Sequence, residues 1–335
     1  MNVPAASICR VGMSTAAIGG RLVAPLRRHT VVALSALLLV FVGGIAIARP
    51  GTVTPIWISN ITLFAAPLGI LAAGQTLVML AGGIDLSVAS VATASAYMMA
   101  THSATHSALG GVAAVLWGLS VGLAVGAING VGIAILRVQP LVMTLGTGLI
   151  TEGALIVYSQ KMLASAPRVP SFIHALGSGK VLGGVPIDVF LWAPIAVALM
   201  FGLRRTGLGR LIYAVGDNPR ACEQSGVRVW QVLLVDYVLC GVLAATGGLV
   251  VVGGTNAADM SLADVYLLPS IAAVIIGGTS ILGGRGGYAG SILGTLILTV
   301  LNSLLTLLDA PEPIRQILYG TIILLLATAY TRLTD

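Results

Sequence analysis

Apolar stretches of roughly bilayer length recur along the whole chain, and little charge separates them. They fall at about 30–48, 57–80, 87–100, 108–136, 141–160, 188–203, 230–252, 266–283, 290–308 and 314–331, each bounded by glycine, proline or charge. A helix needs about 20 apolar residues to cross a bilayer, so ten such segments account for most of the chain. Only 8% of the 335 residues are charged and 57% are hydrophobic, against roughly a quarter charged in a soluble domain. A soluble globular fold is excluded. A transmembrane β-barrel is disfavoured too, because its strands alternate in short segments whereas these runs are continuous. The expected fold is an all-α polytopic membrane protein of about ten helices, with a basic segment at 1–28 ahead of a membrane domain at 29–335. The run at 30–48 is read as a first span and not as a signal peptide, because the basic leader is long and the run exceeds an ordinary signal core.

The net charge of +6 would point to nucleic acid in a soluble chain, but in a membrane protein it marks the cytoplasmic loops. With ten spans and a cytoplasmic N-terminus, the inner side holds Arg10, Arg21, Arg27, Arg28, Arg137, Arg204, Arg205, Arg210, Arg220, Arg228, Arg285 and Arg332. The outer side holds Arg49, Lys161, Arg168, Lys180 and Arg315. That asymmetry places both termini in the cytoplasm and makes the basic connection at 204–229 an inner one. The other long connections, 161–187 and 253–265, then lie outside. Cys9, Cys222 and Cys240 form neither a metal-ligand spacing nor a disulfide framework.

Catalytic and nucleotide-binding signatures are missing. Lys161 and Lys180 are followed by Met162 and Val181, so no phosphate-binding loop with a lysine and a hydroxyl is present. Gly284-Arg285-Gly286-Gly287-Tyr288-Ala289 matches a dinucleotide fingerprint but joins two apolar runs, and reads as a turn. His102 and His106 lack an acidic or thiol neighbour and read as solvated side chains; no metal site is expected. Three ionisable residues fall in or near apolar runs: Asp85, Glu152 and Asp236. Asp85 serves equally well as a helix cap or as a solute contact. Glu152 and Asp236 are expected near the membrane interfaces. Gly118, Gly122, Gly126 and Gly130 recur every four residues, as at a close helix–helix seam. A weak echo of Gly82-Gly83 in Gly277-Gly278 hints at two related halves.

Four segments together resemble the permease subunits of ribose-type ABC importers. They are Gly74-Gln75-Thr76-Leu77-Val78 running into Gly82-Gly83-Ile84-Asp85-Leu86-Ser87; Gln139-Pro140-Leu141-Val142-Met143-Thr144-Leu145-Gly146-Thr147; Gly209-Arg210-Leu211-Ile212-Tyr213-Ala214-Val215-Gly216-Asp217-Asn218 with Ser225-Gly226-Val227; and Ile271 through Ser280 with Gly283-Gly284-Arg285-Gly286. The resemblance covers about residues 57–330 and implies an inner-membrane permease for a sugar or sugar-like solute. It further implies a separate cytoplasmic ATPase subunit that carries ATP and magnesium, a soluble substrate-binding protein, and a second permease copy, identical or homologous. This chain itself would bind no cofactor and catalyse nothing.

By the same resemblance, Gly209, Arg210, Tyr213, Ala214, Gly216, Asn218, Ala221, Ser225 and Gly226 would couple the chain to the ATPase. Gln75, Asp85, Ser87, Asn129 and Thr144 would give the solute pathway its polarity, though each is equally explicable as a helix-to-helix hydrogen bond. Ala89, Cys222 and Leu268-Pro269-Ser270 depart from the family pattern, so ribose itself is not specified. Related permeases for nucleosides or branched-chain amino acids are the nearest alternative. An ion-coupled carrier or a membrane scaffold are the readings from other classes.

Overall fold

The computed structural model describes residues 30–105, 110–161 and 167–334. The basic N-terminal segment, Cys9 and His106 lie outside the described residues. The chain is a sequence of helices: α1 (Thr30–Ala48), α2 (Pro55–Leu80), α3 (Val88–Thr105), α4 (Gly110–Ala134), α5 (Pro140–Lys161) and α6 (Ser171–Ser178). A small antiparallel hairpin follows, β1 (Lys180–Val181) and β2 (Val185–Pro186), with Lys180 opposite Pro186 and Val181 opposite Val185. Then come α7 (Asp188–Arg205), α8 (Gly207–Asp217), α9 (Pro219–Gln224), α10 (Val229–Thr255), α11 (Leu267–Ile276), α12 (Tyr288–Leu307) and α13 (Glu312–Thr334). Helix starts follow local chemistry. Thr54 caps α2 by accepting a hydrogen bond from the Trp57 N–H at 3.1 Å, and Pro55, which has no N–H to leave unsatisfied, fills the first turn.

Among the described residues six helices are long and apolar enough to cross a membrane: α1, α2, α4, α5, α10 and α12. A seventh span results if α7 and α8, bent by 71°, are joined. The chain is thus an all-α polytopic membrane protein, while the expected ten full-length spans are not all present as such. The clearest correction concerns 266–283. A single span was expected there, but α11 holds only 10 residues, about 15 Å of helix against a hydrocarbon core of about 30 Å.

Backbone geometry explains why α11 stops. Gly278 has φ +84°, its N–H returns to the Ile275 carbonyl at 2.9 Å, and the Thr279 N–H returns to Val274 at 3.2 Å. The longer α2 ends in the same way. Gly82 has φ +85°, its N–H bonds the Met79 carbonyl at 3.0 Å, and Gly83 bonds Val78 at 2.9 Å. This pair of backward bonds across a left-handed residue is the Schellman stop, which glycine adopts without the clash a Cβ would bring. The two helix ends are therefore equivalent in the register Gly82 with Gly278, one residue away from the pairing of Gly82 with Gly277 read in the sequence.

The core is organised around α2, where every residue from Ala65 to Leu80 is buried. One side of α2 meets α11, α12 and α13 through Leu68, Ala72 and Met79 packed with Ile271, Ile275, Leu298 and Tyr319. Another meets α10 through Leu71, Val78, Tyr237 and Cys240. The most extensive helix pairing is α4 on α10, and glycine makes it possible. A Cβ on Gly122 would overlap the Gly241 carbonyl, one on Gly126 would press on the Tyr237 carbonyl, and one on Gly130 would meet the Leu234 backbone. Lipid tails are as apolar as leucine, so such backbone approach, with its van der Waals contact, is what holds membrane helices together.

Gly122→Leu should separate α4 from α10 and lower detergent thermostability, at a cost of at least ~1–3 kcal/mol from overpacking. Gly146→Leu is the control, because nothing lies within 4 Å of a Cβ there, and its melting temperature should match the parent. Equal melting temperatures for the two variants would contradict the seam.

Candidate functional site

After the Gly82 stop the chain does not leave the helix bundle. Residues 83–87 run back beside the last turns of α2 before α3 begins, with Asp85 and Ser87 both buried. Irregular backbone at membrane depth must find its hydrogen bonds within the protein. The side chains of three helices supply them. Gln75 of α2 donates through Nε2 to the Asp85 carbonyl at 2.5 Å and accepts from the Asp85 N–H at 3.4 Å. Thr144 of α5 accepts from the Leu86 N–H at 3.0 Å, and its hydroxyl reaches the Ile84 carbonyl at 3.1 Å. Asp85 Oδ1 accepts from the Ser87 N–H at 2.8 Å and from its hydroxyl at 2.6 Å. Asn129 of α4 donates through Nδ2 to the Ser87 hydroxyl at 2.9 Å.

The structure thus brings Gln75, Asp85, Ser87, Asn129 and Thr144 into one buried network. Thr147 joins it by donating to Asn129 Oδ1 at 2.6 Å, a member the sequence reading missed. The available signal was its spacing, since a residue three after Thr144 shares its helix face. Asp85 uses its carboxylate on the N–H just ahead of α3, as a cap would. Gln75, Asp85, Ser87, Asn129 and Thr144 are all buried, while Thr147 borders a cavity of about 490 Å³ between α3, α4 and α5.

Asp236 lies inside α10 at 0% exposure, and neither carboxylate oxygen has a hydrogen-bond partner among the described residues. The adjacent Tyr237 hydroxyl is also without one. Glu152 is exposed. Among the described residues no group of three or more potential ligands is placed to hold a metal ion. The 284–289 stretch is the turn that leads into α12, as its sequence context implied.

The basic connection at 204–229 is largely helical. Thr206 caps α8 by accepting from the Gly209 N–H at 3.1 Å, and Asn218 caps α9 by accepting from Ala221 at 3.0 Å, with Pro219 in the first turn. α8 is two-faced. Gly209, Ile212 and Val215 are buried, whereas Arg210 and Ala214 are exposed, as are Asn218, Ala221, Ser225 and Gly226 beyond them. Tyr213 turns inward and donates to the Gly286 carbonyl at 3.0 Å. Burial holds its phenol above the ordinary range even with Arg204 nearby, so it remains a protonated donor at neutral pH.

Gly216 also faces inward. A Cβ there would overlap the carbonyl of Leu80, the last residue of α2, and crowd the Gly284 N–H. That carbonyl accepts the Gly284 N–H at 2.9 Å. The end of α8, the end of α2 and the loop after α11 therefore meet backbone to backbone. The space beside Gly216 is thus filled by the chain's own backbone.

Comparison with known proteins bears on what such a bundle does. A family described as branched-chain amino acid transport system / permease component matches residues 57–327. The ribose import permease protein of Escherichia coli strain K12 is 35% identical over 294 residues, covering 86% of this chain and 89% of that one. The galactofuranose transporter permease protein of the same strain is 35% identical over 275 residues, 78% and 75% of the two chains. The fructose import permease protein of Rhizobium meliloti is 32% identical over 268 residues, 78% and 73%. No solved structure matches. By the extent of these matches, the chain belongs to the branched-chain amino acid transport system / permease component family.

Proposed function

We propose that this chain is the membrane-spanning permease of a binding-protein-dependent ABC importer for a sugar or sugar-like solute. The observation that carries the reading is the backbone junction of Gly216, Leu80 and Gly284, because it gives a chain without a nucleotide-binding loop a rigid route for work done elsewhere. The sugar assignment is supported by relatives whose names specify ribose, galactofuranose and fructose import. Uptake of a pentose or hexose by proteoliposomes holding the chain, its ATPase and its binding protein is the direct test, with leucine as the competing solute. Leucine uptake without sugar uptake would overturn the sugar reading.

The ten apolar stretches are proposed as ten passages. α3, α7 and α13 cross beside the longer helices, and α11 with the loop after it forms one broken crossing. An even number puts both termini on one side, and the arginine excess puts that side in the cytoplasm. There α8 and α9 expose Arg210, Ala214, Asn218, Ala221 and Ser225 as a docking ridge for an ATPase subunit. Gly209, Tyr213 and Gly216 hold the ridge to the bundle. Displacement of α8 is passed to the end of α2, and from Gln75 through the Asp85–Ser87–Asn129–Thr144 network to α3, α4 and α5, where a solute path opens between this chain and a second permease copy.

Three outcomes follow. Gly216→Ala should drive a Cβ into the Leu80 carbonyl and uncouple the ridge. Binding-protein-stimulated ATP hydrolysis and uptake should fall at least tenfold, while Arg210→Ala leaves both within about twofold. Retained stimulation in Gly216→Ala would remove α8 as the coupling element.

Asp85→Asn keeps the shape of the network and one acceptor. If its role is capping, stability should drop by about 1 kcal/mol with uptake preserved. Loss of uptake in a complex of unchanged melting temperature would instead make the carboxylate a solute contact.

Cys222 lies in α9 and Cys240 is buried in α10. In intact cells an impermeant maleimide should label neither, and after permeabilisation Cys222 should react. External labelling of Cys222 would reverse the orientation.

A further inference from the structure

Beside α9 a cleft of about 620 Å³ opens between the end of α4 and the start of α10. Three separate elements each send an arginine to it: Arg137 from the α4–α5 turn, Arg220 from α9 and Arg228 from the turn into α10. Glu223 is the carboxylate among the lining residues, and among the described residues none of the three arginines forms an ion pair. Surface arginines alone would be ordinary topology anchors. Two further features set this group apart.

Arg137 is held at φ +57°, in the left-handed region where a Cβ is disfavoured and glycine is the default. A guanidinium is kept at a backbone position that works against it. The cleft also has an apolar wall of Ile133, Val229 and Leu233, and Trp230 at its rim is 43% exposed. Next to it Ile135 and Leu136 are 54% and 69% exposed, side chains suited to hydrocarbon and not to water. An indole among arginines at the edge of such a surface is the composition of a membrane–water interface.

Resting on the orientation proposed above, we propose that this cleft binds the phosphate headgroup of an anionic phospholipid of the cytoplasmic leaflet. The phosphodiester sits among Arg137, Arg220 and Arg228, whose planar forks suit phosphate oxygens. Its acyl chains follow the wall of Ile133 and Leu233 out past Leu136. A soluble phosphate would satisfy the arginines and leave the apolar wall without a partner. Because Arg220 belongs to α9, the lipid ties the docking hairpin to α4 and α10, and makes the lipid composition of the membrane a determinant of coupling.

The test uses the purified permease–ATPase complex, exchanged into mixed phosphatidylglycerol and phosphatidylcholine micelles, with retained lipid read by native mass spectrometry. Phosphatidylglycerol should be enriched over its bulk fraction. Arg137→Gln/Arg228→Gln should weaken its retention roughly 25-fold, at about fivefold for each cation near the surface. Arg137→Lys/Arg228→Lys should keep much of it, and Arg168→Gln should change nothing. In the unmutated complex, brominated phosphatidylglycerol should quench tryptophan fluorescence more than brominated phosphatidylcholine, and Trp230→Phe should abolish the excess. This arm needs no charge variant to fold.

Unchanged retention in the double glutamine variant would overturn the proposal. So would displacement of phosphatidylglycerol by millimolar inorganic phosphate, which would make the site one for a soluble anion. Loss of ATPase subunit from the double variant in lipid-free detergent, with lipid retention intact, would assign the arginines to the protein contact and overturn it likewise. Retention is read without solute, so failure of the sugar assignment leaves this result interpretable.

Discussion

The Leu80 carbonyl is the point on which the arrangement turns. A buried helix end leaves carbonyls that no water can reach, and α2 ends at Leu80, which is fully buried. The Gly284 N–H, from the loop after α11, satisfies this last carbonyl at 2.9 Å, and Gly216 lies against it without a side chain. Once that approach is fixed, the other choices follow. Gly82 and Gly278 must turn their chains sharply, so that the two loops fit under one helix. The segment at 83–87 must climb back beside α2, and its stranded backbone groups then demand the side chains of Gln75 and Thr144.

The network that answers this demand explains why polar residues persist in a chain of such high hydropathy. Interhelical hydrogen bonds in membranes average only about 0.6 kcal/mol each, so their number is a poor measure of stability. What they secure is register. Asn129 bonds Ser87 through its amide and Thr147 through its carbonyl, which ties α4 to the reversed segment and to α5 at one level. Asp236 and Tyr237 are among the exceptions, buried polar groups on α10 without a partner, as Asp188 is on α7 and Ser95 on α3. Unsatisfied buried groups are costly, and the two on α10 lie one turn from Cys240, against which Gly74 of α2 is packed.

Much of this was legible in the sequence, and the failures share a cause. The class, the helix positions and the glycine seam follow from local composition, because lipid imposes a length rule and a small-residue rule that any stretch must obey. The residues of the polar network could be named for the same reason: a glutamine, an aspartate and an asparagine stand out in apolar runs. Their common purpose was not visible, since it depends on a backbone reversal that brings Asp85 back to Gln75. Hydropathy likewise carried the expected span at 266–283 past Ile276, because Gly277 and Gly278 are not polar enough to interrupt an apolar average. The direction in which Gly216 faces was hidden as well. Sequence shows that room is needed there, and only the fold shows that α2 takes it.

The same geometry bears on how such a chain is powered. Few ionisable groups are buried, and the buried acids, Asp85, Asp188 and Asp236, have no basic partner among the described ion pairs. Ion-coupled carriers rely on chains of such groups to trade charge for motion, and the chain has no nucleotide-binding loop of its own. In the importer proposed above, work arrives as displacement at the surface. A flexible contact would dissipate it, since long side chains change rotamer more easily than a packed backbone moves. Backbone-to-backbone contact at Gly216 removes that compliance, because nothing between α8 and α2 can rotate away. If α8 couples as proposed, a single added methyl at this position is a sharper perturbation of coupling than the loss of any charge on the exposed ridge.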